Sequence, residues 1–288
     1  MNVCVVGLGL LGGSFALAMK EKFPETNIIG VDKNPENADK ALKLGIADEI
    51  KEYDEGISTC DLAVLATPVN VMHRQLPEAL DLLDEKAILI DFGSTKEALC
   101  EIAENHPKRG RYVALHPIAG TENSGPEAAF AHLLHNKMMI FCEVNRSDKD
   151  AVDLNKRIFK SMNMHLSYMG AAEHDLHIAY VSHLSHISSF ALGLTVLEKE
   201  KNEKNIFNMA GSGFSSTVRL AKSSPEMWAP IFKQNGENIS EALDAYIQKL
   251  VEFKEIIDNR NDGESLKEMR KANEIRRVLA GIQKKKVS

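Results

Sequence analysis

Six residues near the start of the chain, Gly7-Leu8-Gly9-Leu10-Leu11-Gly12, have the spacing of a phosphate cradle. They follow the apolar run Val3–Val6 and open a stretch of helical periodicity, and Asp32 stands about twenty residues further on, ending a second apolar run. In that setting Gly7 permits a tight turn, Gly9 lets the backbone approach a pyrophosphate, and Gly12 lets helix pack closely on strand. The N–H groups of the new helix, Leu10 and Leu11 among them, would meet the phosphates at the positive end of the helix dipole. Asp32 would accept hydrogen bonds from the adenine ribose and repel a 2′-phosphate. NAD is therefore favoured over NADP, although Lys33 beside it could offset that repulsion. Thr67 and Pro68 end another strand-like run, where the nicotinamide ribose would pack or an ordinary turn would form.

Four later segments carry further chemistry. Asp91-Phe92-Gly93-Ser94-Thr95-Lys96 lies between a strand-like run and a helical one, and His116-Pro117-Ile118-Ala119-Gly120-Thr121-Glu122-Asn123-Ser124-Gly125 follows the next strand. Ser182-His183-Leu184-Ser185-His186 falls in a long helical stretch. Gly213-Phe214-Ser215-Ser216-Thr217-Val218-Arg219-Leu220-Ala221 is followed by Trp228. An imidazole titrating near neutrality suits proton transfer, and a guanidinium suits bidentate carboxylate recognition. Ser182 and His186, four apart, share one helix face. His174, His177, His183 and His186 invite a zinc reading, but no HExxH motif or cysteine partner accompanies them, so no metal is expected.

Elements to position these groups can be read from periodicity. Strands are expected at Asn2–Val6, Asn27–Val31, Leu62–Ala66, Ala87–Phe92, Tyr112–Leu115 and Met138–Glu143. Helices alternate with them at Leu10–Lys22, Pro35–Leu44, Val71–Leu83, Lys96–Asn105 and Asp148–Met162. Such alternation implies an α/β fold, a doubly wound parallel sheet of Rossmann type covered on both faces. From about Gly170 no strand-like run appears. Ala171–Glu200, Glu226–Phe253 and Glu264–Lys284 read as helices, with a glycine- and serine-rich loop leading into a helix across Ile206–Lys222. The expected domains are therefore residues 1–169, binding a dinucleotide, and 170–288, all helical. Lys284–Lys286 read as a solvated helix end.

Composition narrows the partners. Charged residues are 26% and hydrophobic ones 44%, which allows a sizeable core in 288 residues. A formal charge of -6 argues against wholesale binding to nucleic acid or an anionic membrane. No apolar stretch approaches the ~20 residues of a membrane span, and the N-terminus lacks a basic region before its glycines. Cys4, Cys60, Cys100 and Cys142 are scattered, which fits buried reduced thiols and a cytoplasmic setting.

Taken in order from Gly7 to Trp228, the glycine turn and the four later segments resemble the prephenate/arrogenate dehydrogenase family. The resemblance implies a Rossmann domain followed by a helical domain for substrate binding and dimerisation. It also implies an NAD-dependent oxidative decarboxylation of prephenate to 4-hydroxyphenylpyruvate, in tyrosine biosynthesis. By position, His116 would take the proton of the 4-hydroxyl. Ser94 would hold His116 in its working tautomer and contact substrate or nicotinamide. Arg219 would bind a substrate carboxylate, Ser182 and His186 would orient the side chain, and Thr121, Glu122 and Trp228 would line the pocket. Ser185, Ser215 and Ser216 depart from the common pattern; the last two remove an ion-pair partner for Arg219. Alternatives are an arrogenate dehydrogenase, for which Glu122 is the one evident ammonium partner, a β-hydroxyacid-type dehydrogenase, and a catalytically silent NAD-binding regulator. A homodimer through Ala171–Leu197, a monofunctional chain and inhibition by tyrosine at the active site are further expectations.

Overall fold

The computed structural model describes all residues except 202, 204 and 288, and side chains through residue 281; the Lys284–Lys286 reading therefore lies outside the described side chains. Strand and helix alternate through the first part of the chain: β1 (Asn2–Val6), α1 (Leu10–Lys22), β2 (Asn27–Val31), α2 (Pro35–Lys43), β3 (Glu49–Ile50), α3 (Tyr53–Ser58), β4 (Leu62–Leu65) and α4 (Val69–Leu82). They continue with β5 (Ile88–Asp91), α5 (Glu97–Ala103), β6 (Tyr112–Ile118), β7 (Met138–Cys142), α6 (Lys149–Ser161) and β8 (His165–Met169). One eight-stranded sheet results, in the order β3-β2-β1-β4-β5-β6-β7-β8. β1 to β6 run parallel. β7 pairs antiparallel with β6, His116 opposite Ile140, and β8 runs parallel to β7.

The period of two along each strand sorts its side chains between two cores. In β1, Val3 and Val5 join one cluster with Phe15, Phe92, Phe141 and Phe159, whereas Cys4 and Val6 join another with Leu65, Leu76, Leu89 and Tyr112. Helices cover both faces, as an apolar two-sided sheet requires. All four cysteines are free and buried.

After β8 the chain is helical: α7 (Ala171–Ile178), a π-helical turn at Ala179–His183, α8 (Leu184–Glu200), α9 (Ser212–Val218), α10 (Pro225–Gln234), α11 (Gly236–Asp258), α12 (Asp262–Ala272) and α13 (Ile275–Val287). The expected continuous helix at Glu226–Phe253 is interrupted at Asn235, and that at Glu264–Lys284 at Asn273–Glu274. Internal packing separates Met1–Gly236 from Glu237–Ser288 as compact units. Every site residue below lies in the first. Among the described residues no helix is long and apolar enough to cross a membrane.

Candidate active site

Because β1, β4, β5 and β6 are parallel, the segments leaving their carboxyl ends converge on one edge of the sheet. Chain order reverses between β1 and β4, which opens the crevice where dinucleotides bind in such folds. The glycine turn fills that edge. Gly7 takes φ +95° and its N–H donates to the Val31 carbonyl. A Cβ at Gly7 would stand 2.7 Å from the Ala66 carbonyl oxygen, and one at Gly12 would stand 2.0 Å from that of Gly7. Both positions therefore exclude side chains. Around Gly9, by contrast, a Cβ would meet nothing within 4 Å, and Gly9 caps α1 without a side-chain partner. Unpaired N–H groups at an open helix start form a cradle that fits a pyrophosphate. Asp32 accepts the Leu8 N–H at 3.0 Å and the Asn34 N–H at 2.9 Å, so its carboxylate is fixed against the turn with lone pairs remaining for a ribose. Thr67 Oγ1 donates to Gln75 Oε1 at 2.6 Å, and exposed Pro68 caps α4.

His116 sits near the end of β6 and is 8% exposed. Its Nδ1 lies 2.8 Å from His174 Nε2, and His174 Nδ1 lies 2.7 Å from Asp175 Oδ1. The Asp175 carboxylate also accepts the N–H groups of Lys96 (2.8 Å) and Glu97 (3.0 Å). Burial, aided by His174, Lys96 and His183, holds the His116 imidazole well below its ordinary titration range. It is therefore neutral at physiological pH. The His116 Nδ1 is engaged by His174 on α7, so a tie from Ser94 to this ring is left with Nε2. Ser94 itself lies half-buried in the Phe92–Lys96 loop.

Around His116 runs a second buried network with no solvent exposure. Lys96 Nζ pairs with Asp91 Oδ2 and donates to the Leu115 carbonyl at 2.8 Å, while the Tyr112 hydroxyl donates to Asp91 Oδ1 at 2.7 Å. Breaking such a pair leaves an uncompensated buried charge, so it fixes the β5–α5 loop firmly against β6.

The Ser182–His186 segment and Trp228 come together. The His186 ring stacks on Trp228 with centroids 3.6 Å apart, and its Nδ1 donates to the Ser182 carbonyl at 3.0 Å. The His183 ring meets Trp228 edge-on at 5.7 Å, and its Nδ1 accepts from the Asn235 amide at 3.1 Å. Burial pushes His183 down to about 4. Two buried ring atoms here, His183 Nε2 and Trp228 Nε1, have no hydrogen-bond partner. Arg219, half-exposed, pairs with Glu122 Oε2 at 3.4 Å, which supplies the ionic partner that Ser215 and Ser216 do not. Thr121 is exposed and its Oγ1 accepts the Asn123 N–H at 3.2 Å. Among the described residues no group of three or more His, Cys, Asp or Glu could hold a metal.

Sequence reasoning assigned no role to Asp91, Lys96, Tyr112, His174, Asp175 or Asn235. Asp91 and Lys96 bracket a segment whose spacing is informative. His174 and Asp175 gave no local signal beyond an adjacent acid and imidazole.

A glycine-turn dinucleotide fold with a neutral imidazole at the carboxyl edge of its sheet defines a nucleotide-binding dehydrogenase. Comparison with known proteins narrows the class. Residues 15–168 match the nucleotide-binding domain of prephenate dehydrogenase, and residues 170–272 match its dimerization domain. The chain belongs to the prephenate dehydrogenase family. It is 32% identical over 268 residues to a prephenate dehydrogenase of Bacillus subtilis, spanning 92% of this chain and 72% of that one. It is 27% identical to a cyclohexadienyl dehydrogenase of Zymomonas mobilis over 96% of each chain. The crystal structure of a prephenate dehydrogenase from Aquifex aeolicus, in complex with hydroxyphenyl propionate and NAD+, superposes with a TM-score of 0.89 at 33% identity. That match covers 97% of this chain and 98% of the other.

Proposed function

We propose that the protein oxidises and decarboxylates prephenate with NAD, and that His116 takes the proton of the ring hydroxyl. The observation carrying this reading is a buried imidazole, its basicity lowered by burial, at the same carboxyl edge of the sheet as an open glycine cradle. Bound nicotinamide supplies the hydride acceptor. His116 Nε2 removes the O–H proton as the ring carbon is oxidised. Scission of the bond to the ring carboxylate then releases CO₂, its electron pair aromatises the ring, and the phenolate oxygen recovers the proton from His116. No net proton is lost, and the imidazole returns to its neutral form. Aromatisation provides the driving force, so orientation and one proton acceptor suffice.

Gly7, Gly9, Leu10, Leu11, Gly12, Asp32, Thr67 and Pro68 hold the dinucleotide, with Ser94 between nicotinamide and substrate. Arg219 grips a substrate carboxylate by its donor fork. Ser182, His186, Thr121, Glu122 and Trp228 line the pocket, and the unpartnered Trp228 Nε1–H gives a ligand oxygen a buried donor. Glu122 is engaged by Arg219, which favours a keto-acid side chain over the ammonium of arrogenate. Initial rates followed at the reduced-nicotinamide absorbance test this reading with prephenate and arrogenate, each with NAD and NADP. Prephenate with NAD is expected to be fastest; a preference for arrogenate overturns the substrate assignment.

The dinucleotide domain ends at residue 169, with β8, and residues 170–288 form the substrate and dimerisation domain. Exposed Leu192, Leu194 and Leu197 on α8 support a homodimer through these helices. Sedimentation showing only monomer would contradict that. Four free, buried thiols fit action in the reducing cytoplasm.

A further inference from the structure

We infer that His174 and Asp175 are positioning residues that fix His116 in its Nδ1–H tautomer, leaving Nε2 as the atom that accepts the substrate proton. The inference rests on His116 being the proton acceptor proposed above, and it follows from counting donors along the chain of bonds.

Asp175 receives backbone N–H groups on both carboxylate oxygens, from Lys96 on Oδ1 and Glu97 on Oδ2, so both oxygens act as acceptors. An ionised carboxylate only accepts, so His174 Nδ1, 2.7 Å from Oδ1, must carry a hydrogen. His174 is itself buried, and burial lowers its basicity despite Asp175. With Lys96 also disfavouring a second cation, His174 is neutral and its Nε2 bears a lone pair. His116 Nδ1, 2.8 Å away, must then be the donor. A neutral imidazole carries one hydrogen, so His116 Nε2 is the base. When Nε2 gains the substrate proton, the imidazolium keeps its Nδ1–H on His174, and the charge is shared along a chain ending in the carboxylate.

The remaining groups hold the dyad in place. The Asn235 amide donates to the Asp175 carbonyl at 2.7 Å and to His183 Nδ1, tying the residue after α10 to α7 and the π-helical turn. Lys96, which donates its N–H to Asp175, also pairs through Nζ with Asp91. The tautomer is thus set by residues from four separate segments, and none of them need touch substrate.

Two variants separate this role from a packing role. His174→Gln can present an amide oxygen to His116 Nδ1 and an N–H to Asp175; His174→Leu can do neither. For His174→Leu, kcat should fall about 10²- to 10³-fold with KM for prephenate and NAD changed little, and His174→Gln should recover about tenfold or more. The tautomer is read directly by ¹⁵N spectra of the ring nitrogens in histidine-labelled protein without substrate, the His116 signals being identified by their loss in His116→Asn. Wild type should show a protonated Nδ1 and an unprotonated Nε2, and His174→Leu should shift population toward the opposite tautomer. A wild-type spectrum with Nε2 protonated, or equal kcat in the Gln and Leu variants, overturns the inference. If wild type fails to turn over prephenate, the functional reading falls, while the spectra still decide the tautomer.

Discussion

The glycine turn after β1 and the histidine cluster at the end of β6 lie on the same edge of one sheet, yet they are built by opposite means. At the turn, missing side chains create the site: Gly7 and Gly12 are required because a Cβ would strike backbone within 2.7 Å and 2.0 Å. At the cluster, side chains create it, through buried bonds linking residues 91, 96, 112, 116, 174, 175 and 235. At Gly7 and Gly12 a site of the first kind tolerates no added atom, whereas one of the second kind tolerates no lost partner. The difference teaches where damage shows: in folding and cofactor retention at the turn, and in rate or local stability at the cluster.

The contrast is broken most severely at Gly12. Gly12→Val places carbons against the Gly7 carbonyl, and NAD binding followed by protein fluorescence should vanish together with much of the folded signal. Retained NAD affinity would mean that the turn can relax. At the cluster, Lys96→Met strands Asp91 as an unpaired buried charge. It should cost about 3–5 kcal/mol in denaturant unfolding while leaving residual NAD binding in the surviving folded fraction. Arg219→Lys keeps the charge but loses the planar fork, so KM for prephenate should rise about 10- to 100-fold with kcat less affected. Unchanged KM would remove Arg219 from the pocket.

Stability against pH gives the smallest and most distributed effect. His116, His174 and His183 are buried with folded-state titration below the ordinary 6.5, His183 at about 4. Unfolding lets them bind protons they refuse when folded, so their contribution is complete above 6.5 and declines as pH falls from there toward about 4. Urea midpoints measured across that window should fall with acidity. A midpoint that held constant would show these rings already charged in the folded protein.

How much was legible in sequence follows the same division. The glycine turn is contiguous and its spacing is dictated by sterics, so its position, α1 and the strands β1 and β2 could be read directly. His116 and Arg219 stood out through the segments around them. His174 and Asp175 could not, since their meaning comes from a contact with a strand 58 residues earlier in the chain. β8 escaped because His165–Met169 is a partly exposed edge strand of mixed polarity without clean alternation. The break at Asn235 escaped because apolar periodicity runs across it, and the contacts that amide makes there, to Asp175 and His183, are long-range. The expected partner of Arg219 was missing from residues 215 and 216 but present 97 residues earlier, at Glu122.

The pH dependence of kcat/KM for prephenate, in wild type and in His116→Asn, tests most directly whether a neutral buried imidazole is the proton acceptor. Wild type should hold its rate from about pH 8 to the ordinary histidine value and decline only well below it, because burial depresses His116. His116→Asn should still bind NAD, turn over about 10²- to 10⁴-fold more slowly and lose that acid limb. A variant with full turnover, or one that keeps the same acid limb, would contradict the assignment.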